Sequence, residues 1–204
     1  MVKVVVFGAG GRTGRLVVEE AVGAGHEVVA AARGPLDVPG VRTVRVDVRD
    51  ADAVTAALAG QDVVVSAVGP ARRTADGLYS AAAGTIVAGM AAAGVDRLVA
   101  VTSSGVRVDD PHHPWWYRLL ARTAMREAYG DMRRMEEIVR ASGVDYTFVR
   151  PARLVDEPGT GTVRVVDGAN PPGGLRVTRA DLARFVVEEL TARQWSRAAP
   201  TMAE

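Results

Sequence analysis

The chain has 204 residues, 48% apolar and 24% charged, with a formal net charge of +1 and no cysteine. This is the profile expected of a soluble globular protein with one substantial core; it excludes disulfides, thiolate metal sites and cysteine nucleophiles, and offers no global field to nucleic acid or an anionic membrane. No apolar run approaches the roughly 20 residues that span a bilayer, so the reading is a cytoplasmic protein with a small-molecule partner and no nucleic-acid or membrane partner.

Val2 to Phe7 is a continuous, mostly β-branched run, the pattern of a strand buried on both faces of a parallel sheet. Gly8 breaks it. Leu16, Val17, Glu20, Ala21 and Ala24 then recur at helical spacing, Gly25 closes that helix, and Glu27 to Ala32 reads as a second strand, completing a βαβ unit. The alternation continues with a strand Val41 to Val46, a helix Ala51 to Leu58 opened by Asp50, a strand Asp62 to Ser66, an alanine-rich helix Gly77 to Ala93 and a strand Leu98 to Thr102. A long helix, Met125 to Ala141, leads to a sixth strand, Tyr146 to Arg150. Six strands separated by helices predict an α/β, Rossmann-like doubly wound parallel sheet of order 3-2-1-4-5-6.

Beyond Pro151 the pattern gives a strand Thr162 to Val166, a Pro/Gly loop Asn170 to Gly174 and a helix Arg179 to Thr191, whose start suits Thr178 and Asp181. The expectation is one NAD(P)-binding domain over 1–204, with 151–204 as a C-terminal elaboration helping to form the substrate pocket. The Ala-Arg-Pro-rich end reads as a frayed terminus.

The turn Gly8-Ala9-Gly10-Gly11-Arg12-Thr13-Gly14 lies between the first strand and first helix, where a pyrophosphate meets free backbone amides and the positive end of a helix dipole. Gly8 makes the tight turn, Gly11 admits the phosphates, Gly14 lets helix pack on strand, and Thr13 can donate a hydroxyl. The second strand ends in Arg33 with no adjacent acid, which favours a 2′-phosphate and hence NADPH; Arg12 is a candidate for the other side of that clamp, and Asp37 is an acid that could instead read the ribose. Further strand ends line the same rim: Asp47-Val48 beside the adenine, Val68-Gly69 beneath the cofactor backbone, and Thr102-Ser103-Ser104 facing the nicotinamide.

Together these residues resemble the NAD(P)H-binding atypical short-chain dehydrogenases, the group holding NmrA-like proteins and the biliverdin reductase B or flavin reductase type. The resemblance rests on the opening VVVFGAGGRTGRLVVEEAVGAGHEVVAAAR, on Asp47-Val48, Ser66 to Pro70 and Val101 to Ser104, and on the stretch ASGVDYTFVRP ending at Pro151. Thr178 to Ala183 resembles that family's C-terminal helix start. The resemblance implies that Arg33 reads the 2′-phosphate, that Gly11 and Thr13 hold the pyrophosphate, and that Ser103 or Ser104 lies near the nicotinamide. The chain departs from its relatives at Met132, where many carry lysine, and at Met132 and Arg153, where the biliverdin reductase B type carries histidines. Lys3 is the only lysine, so a lysine-assisted tyrosine acid is excluded.

Candidate donors to a substrate are therefore Ser103, Ser104, Tyr117 and Tyr129. Tyr129 and Arg133 share a helix face, where a guanidinium could lower a phenol's pKa, but arginine cannot relay a proton and the favoured reading is that Tyr129 packs and Arg133 is solvated. The aromatic stretch Trp115-Trp116-Tyr117 reads as a loop that lids a planar substrate, or alternatively as a core anchor or homodimer contact. His112 and His113 read as surface residues, with a metal site alongside Asp110 as the minor alternative. Arg150, Pro151 and Arg153 follow the sixth strand, where they could meet an anionic substrate or cofactor phosphate, Arg153 foremost. The leading expectation is an NADPH-dependent oxidoreductase passing hydride to a flavin, quinone or carbonyl compound. The rival is a non-catalytic NmrA-like NADP-binding regulator, and an isomerase that keeps the fold would need an acid-base pair not evident in the sequence.

Overall fold

Apolar side chains that alternate along a central strand need a helical layer on both faces of the sheet. In the computed structural model, which describes residues 1–70 and 74–204, Val4 and Val6 of β1 (Lys3–Phe7) pack with α1 (Arg12–Gly23) and α6 (Arg179–Ala192). Val5 and Phe7 pack with the opposite layer of α2 (Ala51–Leu58), α3 (Leu78–Ala93) and α5 (Arg126–Ala141). Asp50 caps α2 by accepting from the Asp52 and Ala53 N–H groups.

The strands β2 (Glu27–Ala32), β3 (Arg42–Arg45), β4 (Val63–Ser66), β5 (Arg97–Val101) and β6 (Asp145–Pro151) join β1 in the parallel order β3-β2-β1-β4-β5-β6, the Rossmann-like order expected. Past Pro151, β7 (Arg153–Val155) and β9 (Arg176–Thr178) form a separate parallel ribbon. The main sheet gains two more strands, β8 (Arg164–Asp167) and β10 (Pro200–Ala203).

The C-terminal expectation is corrected here. Pro200 to Ala203 is no frayed end: it is a buried strand, parallel to β6 and antiparallel to β8, with Met202 in the core. Its four residues are too few to show a period of two, and ladder bonds on both sides supply the order that local propensity lacks. A second correction concerns Trp115 to Arg122, a helix, α4, rather than a loop. Pro114 precedes it, no glycine or proline interrupts it, and Tyr117 and Ala121, four apart, give it one inward face. No helix among the described residues is long and apolar enough to cross a membrane.

Glu136 of α5 ties the strand ends beneath the site. Its buried carboxylate accepts from Arg150 through Nε at 2.9 Å and through Nη2, from Arg140 Nη2 at 2.9 Å and from the Thr102 hydroxyl at 3.2 Å. Arg150, expected at an anionic ligand, is thus corrected to a buried structural partner. Glu136→Ala should destabilise the fold by about 3–5 kcal/mol by stranding Arg150, and adding Arg150→Met should recover part of that loss. Denaturant unfolding of the two variants checks it.

Candidate functional site

In an open parallel sheet, ligands sit beyond the carboxyl ends of the strands where strand order reverses. Here that point lies between β1 and β4. Gly8, at φ 82°, has its Cα so close to β4's exit that a Cβ would lie 2.5 Å from the Ala67 carbonyl oxygen. A Cβ on Gly14 would lie 2.2 Å from the Gly8 oxygen, so α1 rests on the turn with no room for a side chain. The Gly8 and Ala9 N–H groups both donate to the Ala31 carbonyl at 3.1 Å, and Gly11 N–H donates to Gly8 at 3.0 Å. α1 therefore opens at Arg12 behind a glycine cap, with no acid in its first turn to offset the positive end of its dipole.

This helix end borders a groove of about 600 Å³ whose walls include Gly10, Gly11 and Thr13, then Arg33 after β2, Val48 after β3 and Gly69 after β4. Four arginines line it (Arg12, Arg15, Arg33 and Arg179) and no acid does among the described residues. Arg33 is exposed, and its carbonyl accepts from Arg45 Nε at 3.1 Å. Asp47 is exposed and its carboxylate turns back to accept the Arg49 N–H at 3.0 Å, which leaves Val46 and Val48 as the wall on that side. Arg12 donates to Asp156 Oδ2 at 2.7 Å, and the other oxygen of Asp156 takes Arg179 Nη1 at 2.5 Å. The Arg12 and Asp156 side chains are 73% and 56% exposed, so their pair contributes at most about 1 kcal/mol and a phosphate can displace the carboxylate.

A second cavity of about 840 Å³ joins the groove, sharing Thr13, Val68, Gly69 and Arg179 as walls. The structure gathers Thr102, Ser103, Ser104, Tyr117, Tyr129 and Pro151 around it, with Arg153 and Trp116 at its wall. Trp115 is not part of that lining; it is 72% exposed, so of the three aromatic residues only Trp116 and Tyr117 line the cavity. Thr102 gives its hydroxyl to Glu136, and Ser103 Oγ accepts the Gly105 N–H at 3.2 Å. The buried Ser104 hydroxyl has no hydrogen-bond partner among the described residues.

Tyr117 and Tyr129 hydroxyls meet at 2.9 Å. Of the two readings of this pair the structure agrees with a packed Tyr129: the ring is buried, Arg133 Nη1 donates to the Val106 carbonyl at 3.3 Å, and burial, with the neighbouring Tyr117, pushes the Tyr129 phenol up rather than down. Such a phenol stays protonated and can only donate or accept a hydrogen bond near neutrality.

His113 is corrected from surface to site. It is buried, lines the cavity, contacts the Tyr117 ring at a centroid distance of 4.5 Å, and places Nε2 3.3 Å from the Ser104 carbonyl. A carbonyl only accepts, so Nε2 carries the proton and Nδ1 is left as an acceptor. His112 instead sets Nδ1 at 2.7 Å from the Asn170 carbonyl, while Asp110 accepts two backbone N–H groups, from His112 and Asn170. Sequence reasoning also missed Arg179 and Asp156. The Thr-Arg-Ala-Asp helix start was the one available signal for Arg179, and nothing local marks Asp156.

The groove fits a nicotinamide dinucleotide on its own terms: the amino end of α1, glycines at Gly8 and Gly14 that have no space for a Cβ, and charged lining residues that are all arginines suit a pyrophosphate. The comparisons agree. Residues 8–193 match the family model described as NAD(P)H-binding. A Burkholderia pseudomallei protein described as exported is 33% identical, each chain covered in full, with a TM-score of 0.79. ChuY of Escherichia coli O157:H7, an anaerobillin reductase, is 26% identical over 99% of this chain and 97% of its own, with a TM-score of 0.81. The UPF0659 protein YMR090W of Saccharomyces cerevisiae is 28% identical over 203 residues, 92% of this chain and 86% of its own.

His113 yields a pH dependence. Burial lowers its imidazole below the usual 6.5, outweighing the Ser104 carbonyl that favours the cation. A lowered value in the folded state means the unfolded chain binds the proton more readily, so the stabilisation is whole above about 6.5 and is lost as pH falls through the depressed value. Thermal melts should show wild type losing stability over that acid window more steeply than His113→Asn, and an NMR titration midpoint at or above 6.5 would contradict this.

Proposed function

The chain belongs to the NAD(P)H-binding family whose model it matches over residues 8–193, and on that premise we propose that it is an NADPH-dependent oxidoreductase acting on a small planar acceptor: a flavin, quinone or carbonyl compound. One observation carries the reading. The arginine-lined groove and the largely apolar cavity adjoin, sharing Thr13, Val68 and Gly69 as walls, so a dinucleotide laid along the first would present its nicotinamide end to the second. That a relative at 26% identity is a reductase supports the same class.

When bound, the cofactor supplies hydride; the chain's own residues position, desolvate and orient. Arg12 and Thr13 offer amides, and Thr13 a hydroxyl, to the pyrophosphate, and Arg33 takes the 2′-phosphate. Trp116, Leu120, Met125 and Met132 give the acceptor an apolar bed that excludes water. The Ser104 hydroxyl, without a partner among the described residues, and the paired Tyr117 and Tyr129 phenols are among the groups able to hydrogen-bond an acceptor oxygen. No lysine stands by to assist a phenol, so protonation of the product falls to water.

Arg33→Ala should weaken NADPH binding by about 10- to 150-fold, the equivalent of a charge-assisted pair, and leave NADH nearly unchanged. Equal losses for the two cofactors in a fluorescence titration would remove Arg33 as the phosphate reader. Independently, NADPH oxidation should proceed with at least one member of a flavin, quinone and carbonyl panel, and Tyr129→Phe should slow it. Tight cofactor binding without turnover anywhere in that panel would overturn the enzyme reading and leave an NADP-binding regulator.

A further inference from the structure

Only one face of α4 is covered by the rest of the molecule. Ala121 is buried and Tyr117 turns into the cavity, whereas Trp115, Trp116, Leu119 and Leu120 are 72%, 50%, 56% and 41% exposed. At 100° per residue, Leu119 sits at the centre of the outward face with a tryptophan on each side. Single exposed apolar residues are ordinary, but four large ones contiguous on an eight-residue helix form a patch of the kind that marks a docking surface. Along its flank lie Arg118 and Arg122, with Arg126 at the start of α5. None of the three forms an ion pair with an acid among the described residues.

The charge and the area select the occupant. A two-fold contact through this face with the two helices antiparallel would set the arginines of one copy against those of the other. Four side chains exposed to this extent offer on the order of 500 Å², short of the roughly 800 Å² per partner of a stable interface. An anionic bilayer meets both features at once, since tryptophan favours the headgroup level, leucine reaches the acyl boundary and arginines pair with lipid phosphates. The overall charge of +1 does not oppose this, because such attraction acts over a Debye length of about 8 Å and depends on the local patch.

We propose that α4 is a docking surface for an anionic lipid bilayer, with Trp115 and Leu119 inserted and Arg118 and Arg122 on the headgroups. Trp116 and Leu120 also line the large cavity, so docking places that cavity's wall at headgroup level.

The intact chain is sedimented with vesicles of equal parts phosphatidylserine and phosphatidylcholine, and with phosphatidylcholine alone. Binding to the anionic vesicles should exceed binding to the neutral ones by roughly tenfold or more and fall as salt rises. The double variants Trp115→Ser with Leu119→Ser, and Arg118→Gln with Arg122→Gln, should each lose about tenfold, with circular dichroism and melting unchanged because all four side chains lie outside the core. Absence of wild-type binding, equal binding to both vesicles, or binding retained by both variants overturns the proposal. So does a wild-type dimer that ignores vesicles and dissociates in the Trp115→Ser, Leu119→Ser variant, which would assign the face to a second copy.

Discussion

Two α-carbons set the shape of the cofactor groove. With a Cβ on Gly8 the first strand could not pass so close to the exit of the fourth, and with a Cβ on Gly14 the first helix could not rest on the Gly8 carbonyl. These approaches bring the amino end of α1 to the crevice where strand order reverses, with its amides unpaired and its dipole uncompensated. Anion binding at the groove depends on this contact, because a helix displaced outward by a methyl group would aim its amides elsewhere.

Charge around the groove extends the same logic. Arginines enter from α1, from the end of β2 and from the start of α6, and among the described residues the one carboxylate that reaches them, Asp156, does so from an exposed position. An exposed carboxylate is a weak competitor for a guanidinium beside a doubly charged phosphate. Deeper in the molecule the balance reverses: Glu136 holds Arg150, Arg140 and Thr102 in a buried cluster that keeps the ends of β5 and β6 in place under the cavity. The same residue type lines an open groove at the rim and is a structural group below it, and burial makes the difference.

The polar groups around the large cavity are mostly committed. Thr102 serves Glu136, Ser103 caps a turn, His113 holds a backbone carbonyl, and Tyr117 meets Tyr129. Among the described residues that line the cavity, Ser104 keeps a buried hydroxyl without a partner. A site so furnished positions and desolvates more readily than it transfers protons, which suits chemistry carried mainly by a bound cofactor.

The six-stranded order and the glycine turn were legible in the sequence, because both follow from local signals: periodicity, β-branched runs, and glycines where a strand gives way to a helix. The same signals placed Arg33 and the strand-end serines on one rim, since strand ends in a parallel sheet share an edge whatever their side chains. Residues whose roles depend on contacts far along the chain were not legible. Arg150 meets Glu136 across 14 residues, Arg12 meets Asp156 across 144, and the last strand finds its register only between two others. His113 looked like a surface residue because adjacent histidines carry no sign of what covers them. Backbone geometry repeats every few residues and is therefore written locally; which side chain ends up buried, paired or facing the ligand was decided only when the layers closed, because burial and pairing belong to neighbours in space.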